Sequence, residues 1–252
     1  MAFQSRRAWG LGICLMIAFS LVITGFTGSA LASPVSKTSP QAEKLVRLSS
    51  DPYTNKSSQH KTEVEPDTFS YGSTIVSAFQ VGRFTTGGSS NIGWATSTDN
   101  GTTWKHGFLP GTTVYAGGTL QRISDPAVAY DAMHKVWLIS SLGITNVDTY
   151  VLTSRSTDGG LTWGKPILVS LGGTDKNWIV CDDTATSPFY GHCYTEWDSS
   201  VSHTHFNMVL MSTSTDGGQT WGFSRNPAGT PNGIGGQPLV QPNGTVIVPI
   251  LG

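Results

Sequence analysis

One octet recurs three times along the chain. STDNGTTW begins at Ser97, STDGGLTW at Ser156 and STDGGQTW at Ser214, so the pattern S-T-D-x-G-x-T-W returns after 59 and then 58 residues. Repetition at a fixed period means that the chain is built from copies of one supersecondary unit. The stretches SNIGWATS, TYVLTSRS and NMVLMSTS precede the octets, and the last two carry β-branched and apolar residues bounded by turn formers, as strands do. A weaker repeat lies upstream: EPDTFSYGSTIVSAFQ from Glu65, DPAVAYDAMHKVWLIS from Asp125, NWIVCDDTATSPFYGHCYTEW from Asn177, and a fourth copy, QPLVQPNGTVIVPI, from Gln237. Each reads as a strand, a turn and a second strand, and the octet then joins a third strand to a fourth. Four antiparallel strands in about 58 residues make one propeller blade with generous loops. Helical apolar periodicity is absent from any long stretch after the N-terminal segment.

The chemistry of the octet points to structure rather than catalysis. An aspartate in a tight loop accepts hydrogen bonds from nearby backbone N–H groups that the strand ladder leaves unsatisfied. Ser97, Ser156 and Ser214 open the three octets, and Asp99, Asp158 and Asp216 are their carboxylates. Gly101, Gly160 and Gly218 are free to take positive φ. Trp104, Trp163 and Trp221 each bring a large ring to the hydrophobic layer of a blade, a burial worth about 3 kcal/mol or more. A catalytic carboxylate is not needed three times in identical surroundings, and one carboxylate per loop supplies too few oxygens for calcium.

The octets resemble the Asp-box, or BNR repeat, whose pattern is S-x-D-x-G-x-T-W, and from about Glu65 onward the chain is similar to the secreted sialidase-family β-propellers. The resemblance implies an all-β, sialidase-like fold of four-stranded antiparallel blades. About three blades and the start of a fourth are present, part of a six-bladed propeller. The reading expected here is a truncated sequence, with a half-propeller that closes by dimerising as the alternative. For function the resemblance implies an exo-glycoside hydrolase acting on extracellular glycans. The box is shared with non-enzymatic propellers, so the competing reading is a non-catalytic propeller that binds glycan or protein through its loops.

Sialidase chemistry makes a specific demand: arginines that clasp a substrate carboxylate bidentately. After the N-terminal segment the chain has Arg47, Arg83, Arg122, Arg155 and Arg225, and the family's F/Y-R-I-P motif is absent. Arg122 in QRISDP is a distant echo of that motif, and Arg83 in QVGRFTTGG sits in a glycine-flanked loop that could face a ligand. Tyr194 and Glu196 alternate along one strand and share a face, which does not by itself make a nucleophile pair. No catalytic residue is carried over from the family.

Function is therefore sought at other loops. The upstream repeat places Glu65, Asp125, Asn177 and Gln237 just before the first strand of each unit, the strand that runs nearest the axis of a propeller. Those four, with Asp67, Asp175 and Lys176 nearby, form a polar ring around one mouth of the channel. Such a ring is a candidate ligand site, and the plain alternative is a set of turn caps lining a water-filled channel.

Arg6 and Arg7 precede an uncharged apolar run from about Trp9 to Phe26, and SALAS follows from Ser29 to Ser33. This is the layout of a secretory signal cleaved after Ala32, with SRRAW resembling a twin-arginine signal. The domain organisation is thus a signal at residues 1–32, a polar leader at 33–62 and a partial propeller at 63–252, secreted and with no stable membrane span after cleavage. Loss of Arg6 and Arg7 leaves 13 basic against 16 acidic residues. With no basic run, a nucleic-acid partner is excluded, and an extracellular glycan or glycoprotein is the partner expected. No cofactor is implied. Cys14 leaves with the signal, and Cys181 and Cys193 then form an even pair in an exported chain. A disulfide is the default reading of such a pair. A metal site drawing on His192, His203 and His205 is the alternative, without the tight C-x-x-C spacing that zinc sites show. No metal is expected.

Overall fold

A computed structural model describes residues 45–200 and 207–252. The signal expected at residues 1–32 lies outside the described residues, as do His203 and His205. The strands follow the repeats. β1 (Glu63–Tyr71), β2 (Thr74–Arg83), β3 (Ser89–Ser97) and β4 (Lys105–Phe108) form the first antiparallel blade. β5 (Arg122–Asp131), β6 (Val136–Ile144), β7 (Thr149–Ser156) and β8 (Ile167–Leu171) form the second. In the third, β9 (Thr174–Cys181), β10 (Cys193–Ser200) and β11 (Asn207–Ser214) pair in order, and a bridge from Met211 to Arg225 marks the place of the outer strand. β12 (Leu239–Val240) and β13 (Val246–Ile247) begin a fourth unit. The only helical turn among the described residues is a 3-10 turn at Val114–Ala116. The fold is thus the all-β partial propeller expected from the repeats.

Each octet closes its own turn as its chemistry requires. In the second, the Ser156 hydroxyl donates to Asp158 Oδ1 at 2.7 Å and accepts from the Gly160 N–H at 2.9 Å. Ser97 with Gly101, and Ser214 with Gly218, repeat this pattern. The tryptophans differ from expectation in where they pack. Trp163 sits in a core shared with Val76, Ile92 and Trp94 of the first blade. Thr96 of β3 donates to the Gly160 carbonyl at 2.7 Å. The third octet meets the second blade in the same way: Arg155 donates to the Gly217 carbonyl, and Trp221 Nε1 donates to Thr153 Oγ1 at 3.0 Å. Gly160 and Gly218 have φ of 81° and 74°, and a Cβ on either would collide with Val76 or Leu138 of the neighbouring blade. The octet therefore fastens its blade to the preceding one, and does more than fill a layer within its own.

Trp104 of the first octet packs instead on Phe79, Val81 and Ala95 of its own blade, a cluster also covered by Phe108 and, from upstream, by Leu48 and Tyr53. Those two residues belong to the polar leader, which over residues 45–62 forms no strand and lies along the first blade. Asn91 donates to the Tyr53 hydroxyl at 2.9 Å, and Ser90 to Asn55 Oδ1 at 3.0 Å. Cys181 and Cys193 face each other across β9 and β10 and are joined in a disulfide. This removes the metal reading of the pair. Among the described residues no cluster of His, Cys, Asp and Glu is placed to hold a metal ion.

Candidate functional site

The inner strand β5 packs against both β1 and β9, and all three are bulged near their first residues. The pairing slips between Val64 and Asp67, between Ser124 and Ala127, and opposite Glu196–Asp198 in the third blade. Pro66 and Pro126 suit the first two bulges, since a proline has no N–H to lose from the ladder. A bulge leaves one residue unpaired and re-aims its side chain. Here that residue is Glu65 (φ 52°), Asp125 (φ 45°) or Lys176 (φ 47°). The left-handed region costs an L-residue about 1–2 kcal/mol. Three charged side chains are thus held in strained backbone at matching places in consecutive blades.

This register corrects the sequence alignment. Lys176, not Asn177, stands level with Glu65 and Asp125, and in the fourth unit the left-handed residue is Gly235 rather than Gln237. The third bulge has no proline to mark it, so its extra residue leaves no trace in the sequence pattern. Asn177 is buried, and its Nδ2 donates to Ser140 Oγ at 2.8 Å.

The bulged residues converge. Lys176 Nζ lies 3.5 Å from Asp125 Oδ2, and Ser124 donates to Asp125 Oδ1 at 2.9 Å. The Asp125 charge is the chief reason the Lys176 ammonium is held above its ordinary range, with Glu65 and Asp175 adding to it. Glu65 accepts a hydrogen bond from Gln80, and Arg83 Nη2 lies 3.9 Å from its Oε1. Asp67 is partly withdrawn from water, which pushes its carboxyl up despite a 2.7 Å hydrogen bond from the Val128 N–H.

Between these side chains lies a cavity of about 260 Å³, walled by Glu65, Asp67, Asp125, Lys176, Asn177 and Gln237, with Trp178 and Gly235–Gly236 completing it. A more open cleft of about 640 Å³ adjoins it, sharing Glu65, Asp125 and Lys176 and reaching Arg83, Arg122 and Asp175. All nine residues singled out in the sequence therefore line one of these two spaces. The two arginines are engaged with the loop at residues 84–88. Arg122 Nη1 donates to the carbonyls of Thr86 and Gly87 and to the Thr86 hydroxyl, and Arg83 Nη1 donates to the Phe84 carbonyl at 2.9 Å.

Two acids stand behind the cavity wall: Glu196, which the sequence offered only as a neighbour of Tyr194, and Asp198, which it did not single out. Glu196 is fully buried, neither carboxyl oxygen has a hydrogen-bond partner, and the carboxyl lies so close to Gly236 that a Cβ there would have to push it aside. Burial, with help from Asp198, raises its pKa to about 8. Asp198 accepts from the Gly235 N–H at 3.3 Å and is raised to about 6, again chiefly by burial. Tyr194 is buried beside Asp182 and makes no hydrogen bond to Glu196, so the two do not form a nucleophile pair. The alternation Tyr194, Glu196, Asp198 marks one strand face as unusually acidic, but only tertiary packing shows that the face is dry.

No protein-family model matches the chain, and no curated protein is detectably similar to it. Among solved structures, a GH93 α-L-arabinofuranosidase of Fusarium graminearum bound to arabinobiose aligns with a TM-score of 0.53 at 14% identity, over 79% of this chain and 58% of that one. Trypanosoma rangeli sialidase aligns with a TM-score of 0.52 at 14% identity, over 75% of this chain and 34% of the sialidase. The chain thus spans between a third and three fifths of the length of these enzymes. At such identities the likeness is one of fold: the chain has the architecture of a sialidase-like β-propeller.

Proposed function

We propose that the chain is part of an exported glycoside hydrolase that cleaves a neutral glycan at the cavity between the inner-strand bulges. The observation that carries this reading is the convergence of the Glu65, Asp67 and Asp125 carboxyls, with Lys176, in one cavity built on strained backbone. Glycoside hydrolysis needs one carboxyl that gives a proton and another that acts as nucleophile or base. Asp67, whose pKa burial raises, is the proton donor. Asp125, held by Lys176 and Ser124, is the second carboxylate. The fold relatives are named as an arabinofuranosidase and a sialidase, which supports a glycan as substrate. A sialoside is disfavoured because Arg83 and Arg122 already hold backbone carbonyls of the loop at residues 84–88. Export rests on the expected signal, and the Cys181–Cys193 bond is of the kind that persists in oxidising compartments.

The test is sugar release by the full-length protein from arabino-, xylo- and galacto-oligosaccharides, with sialyllactose for comparison. Asp67→Asn is expected to lower kcat about a hundredfold or more, the usual worth of a positioned general acid. If no sugar is released from any of these substrates, the hydrolase reading falls. Binding without release would establish the non-catalytic alternative.

A further inference from the structure

The inner strands that begin at the cavity end at the opposite mouth, and there the surface is aromatic. Tyr71 is the last residue of β1, and Tyr130 lies next to the end of β5. Their rings stack with centroids 4.4 Å apart and 33° between planes. Tyr130 rests in turn on Trp137 at 4.9 Å, and Phe69 meets Trp137 edge-on at 6.2 Å. Trp137 is 2% exposed and belongs to the core shared by the first two blades. The rings thus form a column rooted in the rigid part of the fold, with its outermost member, Tyr71, 46% exposed.

Beside this column lies a second cavity, of about 380 Å³. Its lining combines the aromatic residues Tyr71, Tyr130 and Trp137 with Ser73, Thr74, Lys135 and Thr157. Thr157 and Gly159 come from the second octet. The octet's aspartate is engaged in closing its own loop, and Thr157 beside it is exposed. A lining that sets aromatic rings beside hydroxyl-bearing residues suits a ligand with one apolar face and a polar rim. A sugar ring, with its C–H groups on one face and its hydroxyls around the edge, is such a ligand. A phosphate would call for a cluster of cations where only Lys135 is present. The volume falls in the range of about 300–1,000 Å³ that small-ligand sites occupy.

We propose that this mouth is a second, non-catalytic saccharide site, in which Tyr71 and Tyr130 carry one sugar unit of a neutral glycan and the turn and octet hydroxyls hold its edge. The two mouths lie at opposite ends of the same strands, so the site stands whether or not the cavity at the first mouth cleaves glycosides.

The experiment is calorimetric titration of the full chain with neutral hexasaccharides of glucose, xylose, mannose and arabinose. At least one is expected to bind with an affinity weakened tenfold or more by Tyr71→Ala and kept by Tyr71→Phe. Thr157→Arg provides a second variant at an exposed position, one that makes none of the octet's turn hydrogen bonds, and it is expected to abolish binding by filling the cavity. The proposal is overturned if none of the four sugars binds, or if binding persists undiminished in both Tyr71→Ala and Thr157→Arg. Saturation by tetramethylammonium with no sugar bound would overturn it too, since the rings would then serve a cation.

Discussion

Asp158 shows how much of this fold hangs on single side chains. Its Oδ1 accepts from the Ser156 hydroxyl and from the N–H groups of Leu161 and Thr162, and its Oδ2 accepts from the Thr162 hydroxyl at 2.6 Å. Desolvation alone would raise its pKa, but these hydrogen bonds outweigh it and hold the carboxyl at about 2. A depressed acid stabilises the fold above its unfolded pKa of about 3.9, and that contribution is lost as the pH falls through the folded value. Asp158→Ala removes four hydrogen bonds from a turn open to solvent, where water partly replaces them. The expected cost is about 1–2 kcal/mol, comparable to losing a helix cap. It is read as a lower urea midpoint at pH 7, and the gap from the parent protein narrows toward pH 2. An unchanged midpoint at pH 7 would mean that Gly159 and Gly160 form the turn without the carboxylate.

At the scale of elements, the bulges set the site apart from the scaffold. A strand start needs no left-handed charged residue, yet Glu65, Asp125 and Lys176 all adopt that backbone. Strain repeated in this way marks positions where stability has been yielded for the placing of a side chain. Lys176→Gly relieves strain of about 1–2 kcal/mol and loses an ion pair worth about 0–1 kcal/mol. The variant is expected to unfold at slightly higher denaturant while ligand binding at the cavity weakens. Lower stability would show that the backbone at this bulge is not strained. Much of the fold was legible in the chain because its signals are local: β-branched and apolar residues bounded by turn formers for β7 and β11, and glycines with an acid for each octet. Eight of the nine candidate residues lie where a blade begins, and only Arg83, at the end of β2, comes from elsewhere. Their register was not legible, because an extra residue in the third bulge changes neither composition nor turn chemistry. Nor could sequence show that Trp163 and Trp221 reach the preceding blade, or that Glu196 is dry. Those facts depend on contacts between segments about one blade apart.

Across the whole molecule the two sets of acids pull in opposite directions, and together they fix its pH response. The octet carboxylates Asp99, Asp158 and Asp216 are held below their ordinary range by hydrogen bonds that outweigh any desolvation, so they withdraw support only in strong acid. Near the two mouths, burial does the reverse: Glu196 is raised to about 8, Asp198 and Asp183 to about 6, and Asp67 is raised as well. An acid with a raised pKa keeps its proton in the folded state after the unfolded chain has lost it. Its stabilising effect is complete below the unfolded pKa, about 4.3 for a glutamate, and is lost as the pH rises through the folded value. Each such proton is worth about 1.4 kcal/mol per pH unit within that window, less where solvent reaches the group. Glu196, with no partner for either oxygen, contributes over the widest range. Stability is therefore expected to peak near pH 5 and to fall by at least about 2 kcal/mol by pH 8, the sign following from the extra protons bound by the folded state. Thermal unfolding across pH 4–9 measures this directly, and Glu196→Gln, which cannot ionise, is expected to flatten the decline. A profile that rises from pH 5 to pH 8, or one that Glu196→Gln leaves unchanged, would show that Glu196 is ionised in the folded protein. The charge would then stand against Gly236 in the wall of the cavity, where it would bear directly on any ligand bound there.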